Sequence, residues 1–428
     1  MKPVVNTYRA IGLLVAFMMI NYLDKAVIGL VAKPMKDDLA LTTAQYGTIA
    51  GAFYFLFSLS ALVLGFAGNR ISSRWLLAGL AVVWSAAQLP VGLLAGAGVA
   101  VVIATRVLLG AGEGPAYPLA MHTAFTWTKE KDRGLAGSAL QLSAAIGALV
   151  GGPALIAVIS AFGWRSAFTV LGVVGLVWAG SWLAFGGDGP HLSREEKSGV
   201  SRRTYRRLLS SGTWYGALIA GFGVSWALSV HIAFLPLYLE DVAGFERSSI
   251  GFLTALPPLT AAVLVVLGGA LSRRLLGRGR SRRLALGVLG GCFSLTAGIC
   301  LAPLPHVSPL WLVLPLVGLA FGAGPAQTPL TVAAIAAIVP DRQRSAVLGI
   351  WYALVSIAAV AGPIATGFVI DAAPSEAAGF GRAFGLTGGL LVLGGLASMV
   401  LIRPDEPHSS MKGLRVARPP LESTTGAG

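Results

Sequence analysis

Apolar residues run through this chain in blocks of about twenty, and polar residues collect in the short gaps between them. A hydrocarbon core needs about 20 predominantly apolar residues per helical crossing. The pattern predicts spans near Ile11–Val31, Tyr46–Phe66, Leu76–Gly96, Val99–Met121, Leu135–Ile159 and Ala167–Phe185. A second set follows near Tyr215–Leu237, Ile250–Leu271, Leu284–Ala302, Leu310–Ile338, Val347–Ile370 and Phe384–Leu401. The expected fold is all-α, an integral membrane protein of about twelve transmembrane helices. One gap is out of scale, since Gly186–Thr213 is polar, basic and about 28 residues long. It divides the chain into an expected N-terminal six-helix bundle (residues 1–185), a cytoplasmic basic linker (186–213) and a C-terminal six-helix bundle (214–402). The polar tail (403–428) has the composition of a disordered cytoplasmic segment.

Composition agrees: hydrophobic residues make up 55% of the chain and charged ones 12%, against roughly 25% charged in soluble domains. The net charge of +14 raises the question of nucleic-acid binding, and the placement of the basic residues argues against it. With the N-terminus taken as cytoplasmic, the Arg202–Arg203 and Arg206–Arg207 pairs and most other basic residues fall on that side. The opposite side holds only Lys33, Lys36, Arg165, Arg247 and Arg382. This is the positive-inside pattern, and it sets both termini in the cytoplasm. The expected location is the cell (inner or plasma) membrane, as a multi-pass monomer. The linker's arginine pairs suit anionic lipid headgroups at the cytoplasmic face, or equally a solvated connection. The first block is too long for a signal-peptide core and is interrupted by Asp24–Lys25, so it reads as a retained helix. Cys292 and Cys300 share one span and read as small apolar residues.

The two halves resemble each other. Gly110–Pro115 leads to Lys129–Arg133 and then to Gly152–Pro153, while Gly322–Pro325 leads to Asp341–Arg344 and then to Gly362–Pro363. The matching prolines, 115 with 325 and 153 with 363, stand 210 residues apart in both cases. Such a repeat implies duplicated bundles about a pseudo-twofold axis along the membrane normal, with substrate bound near the midplane between them.

Four ionisable residues stand inside apolar blocks: Asp24 and Lys25 in the first, Arg106 and Glu113 in the fourth. A charge near the bilayer centre costs about 3 kcal/mol on insertion scales, so it generally faces a wet cavity and has a function. Arg106 and Glu113, two helical turns apart, share one face about 10 Å apart along it, with Asp24 between them in depth. A carboxylate whose surroundings change between outward- and inward-facing states can carry a proton. The bland reading is a static ion-pair network, which fits Arg106 as well as a functional role does.

Gly65-Phe-Ala-Gly-Asn69-Arg70-Ile-Ser-Ser-Arg74 resembles the loop signature of the major facilitator superfamily, with a weaker second copy at Gly268-Gly-Ala-Leu-Ser272-Arg273. Gly163-Trp164-Arg165-Ser-Ala-Phe168 is similar to another common turn of that superfamily. The resemblance implies the major facilitator fold of two pseudo-symmetric six-helix bundles. It makes Gly65, Asn69, Arg70, Arg74, Gly268, Ser272 and Arg273 a cytoplasmic gate. Asn69 and Ser272 stand where the family has an acidic residue, so a neutral, hydrogen-bonded latch is expected. Asn21-Tyr-Leu-Asp24-Lys25 and Arg106-Val-Leu-Leu-Gly-Ala-Gly-Glu113-Gly-Pro-Ala-Tyr-Pro118 are similar to first- and fourth-helix motifs of the anion:cation symporter family. By that resemblance Asp24 and Glu113 carry protons and Lys25, in the place of the family's arginine, binds the substrate anion. Lysine keeps the charge but loses the planar grip on a carboxylate. The implied function is proton-coupled uptake (symport) of a small organic anion, such as a sugar acid or other carboxylate, by alternating access. Protons are the coupling ion, and no cofactor or metal is expected.

Further candidates for substrate contact are Gln141 on the fifth span, Tyr352 and Ser356 on the eleventh, and His231 on the seventh. His231 reads either as a cavity ligand or as a core histidine bonded to a main-chain carbonyl. Phe53, Tyr54 and Phe57 fit packing better than an aromatic substrate. No phosphate-cradling loop, metal-spaced His/Cys cluster or nucleophile elbow stands in the chain, so no enzyme chemistry is expected. The alternative transporter is a proton-driven efflux antiporter, faintly suggested by Gly147–Pro153. A non-transporting receptor would suit a long soluble domain, which the chain lacks.

Overall fold

The computed structural model describes residues 2–67, 72–94, 96, 98–129, 132–190, 210–307, 310–339 and 344–404. No strand occurs among them, and eleven of their helices are long and apolar enough to cross a membrane. The helix Thr43–Ala67, 25 residues long, fills the second place in chain order. The twelve are α1 (Lys2–Leu30), α2 (Thr43–Ala67), α3 (Ser73–Leu93), α4 (Val99–Trp127), α5 (Arg133–Phe162) and α6 (Trp164–Phe185). The second half holds α7 (Gly212–Leu237), α8 (Arg247–Gly277), α9 (Arg283–His306), α10 (Leu310–Ile338), α11 (Arg344–Asp371) and α12 (Glu376–Leu401). Residues 191–209 of the linker and 405–428 of the tail lie outside the described residues.

Hydropathy located the spans, and local chemistry sets their ends. The helix α12 begins eight residues before the expected Phe384 because Ser375 caps it, its hydroxyl accepting from the Ala378 N–H at 3.3 Å. Between α5 and α6 the chain turns at Gly163, whose φ of +82° is open to glycine but strained for other residues. The span α4, expected as one helix, is two: Val99–Glu113 and Ala116–Trp127, interrupted at Gly114–Pro115. A proline ring removes an N–H and crowds the preceding turn, which accounts for the interruption. The break in α8 between Leu253 and Leu256 precedes Pro257 for the same reason.

Glycines let the helices touch main chain to main chain. A Cβ on Gly110 of α4 would strike the Phe53 carbonyl of α2, within the first half. A Cβ on Gly47 of α2 would strike the Pro363 carbonyl of α11, and Gly152 of α5 meets the Gly251 carbonyl of α8 in the same way. These last two contacts join the halves.

The apolar cores show how far that joining extends. At the end where α1 finishes and α2 begins, here the distal end, one continuous cluster takes Val27, Tyr46, Trp164 and Phe168 together with Phe234, Tyr238, Ile250 and Phe384. Toward the linker end the cores are separate. Leu14, Phe17, Trp84 and Trp182 belong to the first half, and Trp214, Ile335 and Trp351 to the second. Polar ties reinforce the distal seam. The Lys33 ammonium meets Asp241 Oδ1 at 2.5 Å, and Arg247 donates to the Leu30 carbonyl at 3.2 Å. The Tyr46 hydroxyl donates to the Ala233 carbonyl at 2.6 Å. The Asp371 carboxylate, ending α11, accepts from the main-chain N–H groups of Thr43 and Ala44 at 3.0 and 2.7 Å, where α2 begins. The halves therefore close on each other distally and part toward the linker.

Candidate functional site

The charged residues of α1 divide by helical geometry. Asn21 and Lys25, four residues apart, share a stripe, whereas Asp24 lies to the side of it. Lys25 and Asn21 face α4: the Lys25 ammonium donates to Asn21 Oδ1 at 2.5 Å and lies 3.4 Å from Glu113 Oε2. Asn21 completes the triangle, its amide donating to the same Glu113 oxygen at 3.0 Å. The Lys25 ammonium also sits 5.4 Å from the centre of the Phe57 ring, on α2. Glu113 is sealed from solvent, while the Lys25 side chain keeps 19% of its surface open. Lys25 is thus the more open member of the pair.

Asp24 is fully buried and turns to α3, where Gln88 donates from Nε2 to Asp24 Oδ1 at 2.9 Å. No ion pair within 4 Å joins its carboxylate to either nearby cation among the described residues. Arg106 instead donates from Nη1 to the Asp24 main-chain carbonyl at 3.2 Å and lies 5.1 Å from the Phe53 ring centre. The adjacent Asp24 and Lys25 thus reach both charges of α4, Arg106 through the Asp24 main-chain carbonyl and Glu113 through the Lys25 ammonium.

The further candidates are placed as follows. Gln141 on α5 accepts from the Tyr117 hydroxyl of α4 at 3.0 Å, with both side chains exposed. Tyr352 on α11 is half exposed and lies near Tyr117, from the other half. These three side chains flank the gap between the halves. The Ser356 hydroxyl donates to the Tyr352 carbonyl at 2.7 Å, so it serves its own helix. His231 is buried and stacked on the Phe321 ring of α10 at 5.5 Å, with Nδ1 left without a hydrogen-bond partner.

At the linker end, Asn69 and Arg70 lie outside the described residues, and Gly65 lies on α2. Arg74 donates to the Leu183 carbonyl of α6, and Trp182 donates to the Arg74 carbonyl at 3.1 Å. An acidic residue does reach this place: Asp188 accepts from the Ser73 N–H at 2.8 Å, at the start of α3. In the second half a Cβ on Gly268 would press on the Phe293 ring, Ser272 is buried and Arg273 is exposed.

Sequence reasoning missed Gln88 and the bridging part of Asn21. An uncharged polar residue in an apolar span carries little signal of its own, and Asn21 was visible only as a motif letter.

Comparison with known proteins fits this geometry. The chain is 27% identical over 443 residues to a protein of Cupriavidus necator named as a probable sulfoacetate transporter, covering 98% of this chain and 100% of that one. It is 26% identical to a hexuronate transporter of Bacillus subtilis, covering 90% and 92% of the two chains. Among solved structures, a bacterial homologue of the lysosomal transporter Spinster, inward-facing and unoccupied, superposes with a TM-score of 0.76 at 19% identity, covering 94% and 98%. A D-xylose–proton symporter superposes at 0.72 with 15% identity, covering 92% and 97%. These relatives are transporters rather than enzymes. The Major Facilitator Superfamily model matches residues 14–331 and 247–423, and the chain, a multi-pass helical membrane protein, belongs to that family.

Proposed function

We propose that this protein is a secondary active transporter that takes up a small organic anion together with protons, by alternating access of a cavity between its halves. The observation that carries the reading is the Lys25–Glu113 pair at 3.4 Å, with the lysine partly open and the glutamate sealed. An anion that takes Lys25 as its counter-ion leaves Glu113 with an uncompensated buried charge. Removing one partner of a buried pair costs about 3–5 kcal/mol, unless a proton neutralises the carboxylate. Anion binding and proton binding on Glu113 are thereby coupled through one ammonium group. Tyr117, Gln141 and Tyr352 are placed to contact the rest of the substrate. Asp24 is the second proton site, and Arg106 braces the α1–α4 contact.

The relatives support the substrate class. They are named as transporters of sulfoacetate, hexuronate and galactarate/D-glucarate, all small organic anions. A lysine, unlike an arginine, makes no demand for a planar carboxylate, so sulfonates and carboxylates both suit the site. The basic linker side faces the cytoplasm by the positive-inside pattern, which makes the distal closure an inward-facing arrangement in the cell membrane.

The test uses purified protein in proteoliposomes, offered galacturonate, D-glucarate and sulfoacetate in turn. The outside medium should alkalinise as the transported anion enters. Acidification would instead establish the proton-driven efflux antiporter, and uptake with no pH change would remove proton coupling.

A further inference from the structure

The Asp24–Gln88 contact is incomplete as it stands, and what it lacks is one proton. Both side chains are sealed from solvent, Asp24 on α1 and Gln88 on α3. One hydrogen bond joins them, from Gln88 Nε2 to Asp24 Oδ1 at 2.9 Å. The two remaining oxygens, Asp24 Oδ2 and Gln88 Oε1, are both buried acceptors without a hydrogen-bond partner. A buried unsatisfied acceptor is costly, and two on one contacting pair are unusual. Turning the amide over does not help, because it would set Oε1 against a carboxylate oxygen and leave two acceptors facing each other. Either orientation is completed by the same change, a proton on the carboxylate.

The charged groups around Asp24 are Lys25 beside it on α1 and Arg106 and Glu113 on α4. Glu113 and Lys25 are occupied with each other, and Arg106 spends its contact on the Asp24 main-chain carbonyl. Gln88 is the side chain that engages the carboxylate itself. We propose that in this distally closed state Asp24 is a neutral carboxylic acid whose O–H donates to Gln88 Oε1, making Gln88 the positioning residue that orients the acid group of Asp24. A hydronium ion gives its proton to Oδ2 and leaves as water, and the pair then makes two reciprocal hydrogen bonds with no net charge. This rests on the reading of Asp24 as a proton site.

Infrared difference spectroscopy on the purified full-length protein at neutral pH tests it. The wild type should show the carbonyl stretch of a hydrogen-bonded carboxylic acid that Asp24→Asn removes. Gln88→Leu should keep that band but move it up to the position of an acid without an amide partner. Gln88→Asn retains a polar amide and withdraws it by one methylene, so it should move the band the same way even if the leucine variant fails to fold. Absence of an Asp24 acid band in the wild type, or a band unmoved in both Gln88 variants, would overturn the proposal. The proteoliposome pH assay is read separately. An anion taken up without protons would sink the coupling while leaving this pair intact, and a missing Asp24 band would sink the pair while leaving coupling through Glu113.

Discussion

Lys25 and Glu113 make opposite demands on a substitution. Lys25→Ala removes the cation an anion would meet, and it also leaves Glu113 buried without its partner. Binding of the transported anion, read by its stabilisation of the purified protein against heat, should disappear. Lys25→Arg should bind again with an altered order of preference among sulfonates and carboxylates, because the guanidinium presents a planar fork. Unchanged affinity in Lys25→Ala would move the anion site elsewhere, Arg106 being the nearest candidate. Asp24→Asn and Glu113→Gln keep shape and much of the hydrogen bonding but cannot cycle a proton. Both should reach the membrane and lose accumulation against a gradient, and Glu113→Gln should still exchange internal for external substrate. Absence of both variants from the membrane would mean that these charges serve mainly to hold α1 to α4. The four charges were legible in the sequence because each is expensive in an apolar block. Gln88 was not, because a neutral amide in a span is tolerated in many roles, and only its contact with Asp24 singles it out.

Helix contacts in this protein separate folding from motion. Gly110 and Gly47 look alike in sequence, yet a Cβ on the first would strike α2 within its own half and on the second α11 of the other half. Overpacking costs about 1–3 kcal/mol. In Gly110→Ala that cost should fall on the fold and lower the thermal midpoint. In Gly47→Ala it should fall on the closed seam, where Ile364 of α11 packs on Gly51 of α2, raising alkylation of an Ile364→Cys reporter in a background without Cys292 and Cys300 while the midpoint changes little. An unchanged reporter would show that the α2–α11 contact does not control closure. Hydropathy could not foresee this division, since it reports where a helix lies and is silent on which neighbour its glycines meet. It missed the interruptions of α4 and α8 for a related reason: glycine and proline barely lower a window average although they break a helix.

The duplication was legible as a 210-residue offset, whereas the relative tilt of the halves was not, because tilt is set by seam contacts between residues more than a hundred positions apart. One such contact is the Asp371 carboxylate at the start of α2. A negative charge at a helix N-terminus is worth about 0.3–1 kcal/mol, so Asp371→Asn should raise the open fraction at the distal end by about twofold to fivefold, read by the same reporter. Acid or base should leave that end alone. Within the first half, Arg165 of α6 donates to Asp38, between α1 and α2, at 2.5 Å and holds its carboxyl below the ordinary value of 3.8, so that buttress of the distal end is lost only as pH falls beneath the usual carboxylate range. Asp241 bonded to Lys33 holds the ammonium above its ordinary 10.5, so the lysine's share of that tie is lost as pH rises beyond it. Between pH 5 and 8, distal opening in the Asp24→Asn, Glu113→Gln double variant should therefore be flat (about a unit clear of either limit). A slope there would point to another titrating group. The continuous apolar cluster across the distal end has an electrical consequence as well. Where the protein spans a bilayer, water entering the gap from the linker side carries that compartment's potential inward to the cluster, so the transmembrane voltage falls across a septum much thinner than the membrane. In the alternating access proposed above, opening the seam and closing the other end would move the septum past the buried charges while they stay nearly still. A net charge on those buried residues would then cross most of the field without travelling, at about 2.3 kcal/mol per charge per 100 mV, and the electrical work of such a cycle would be done by relocating an insulator.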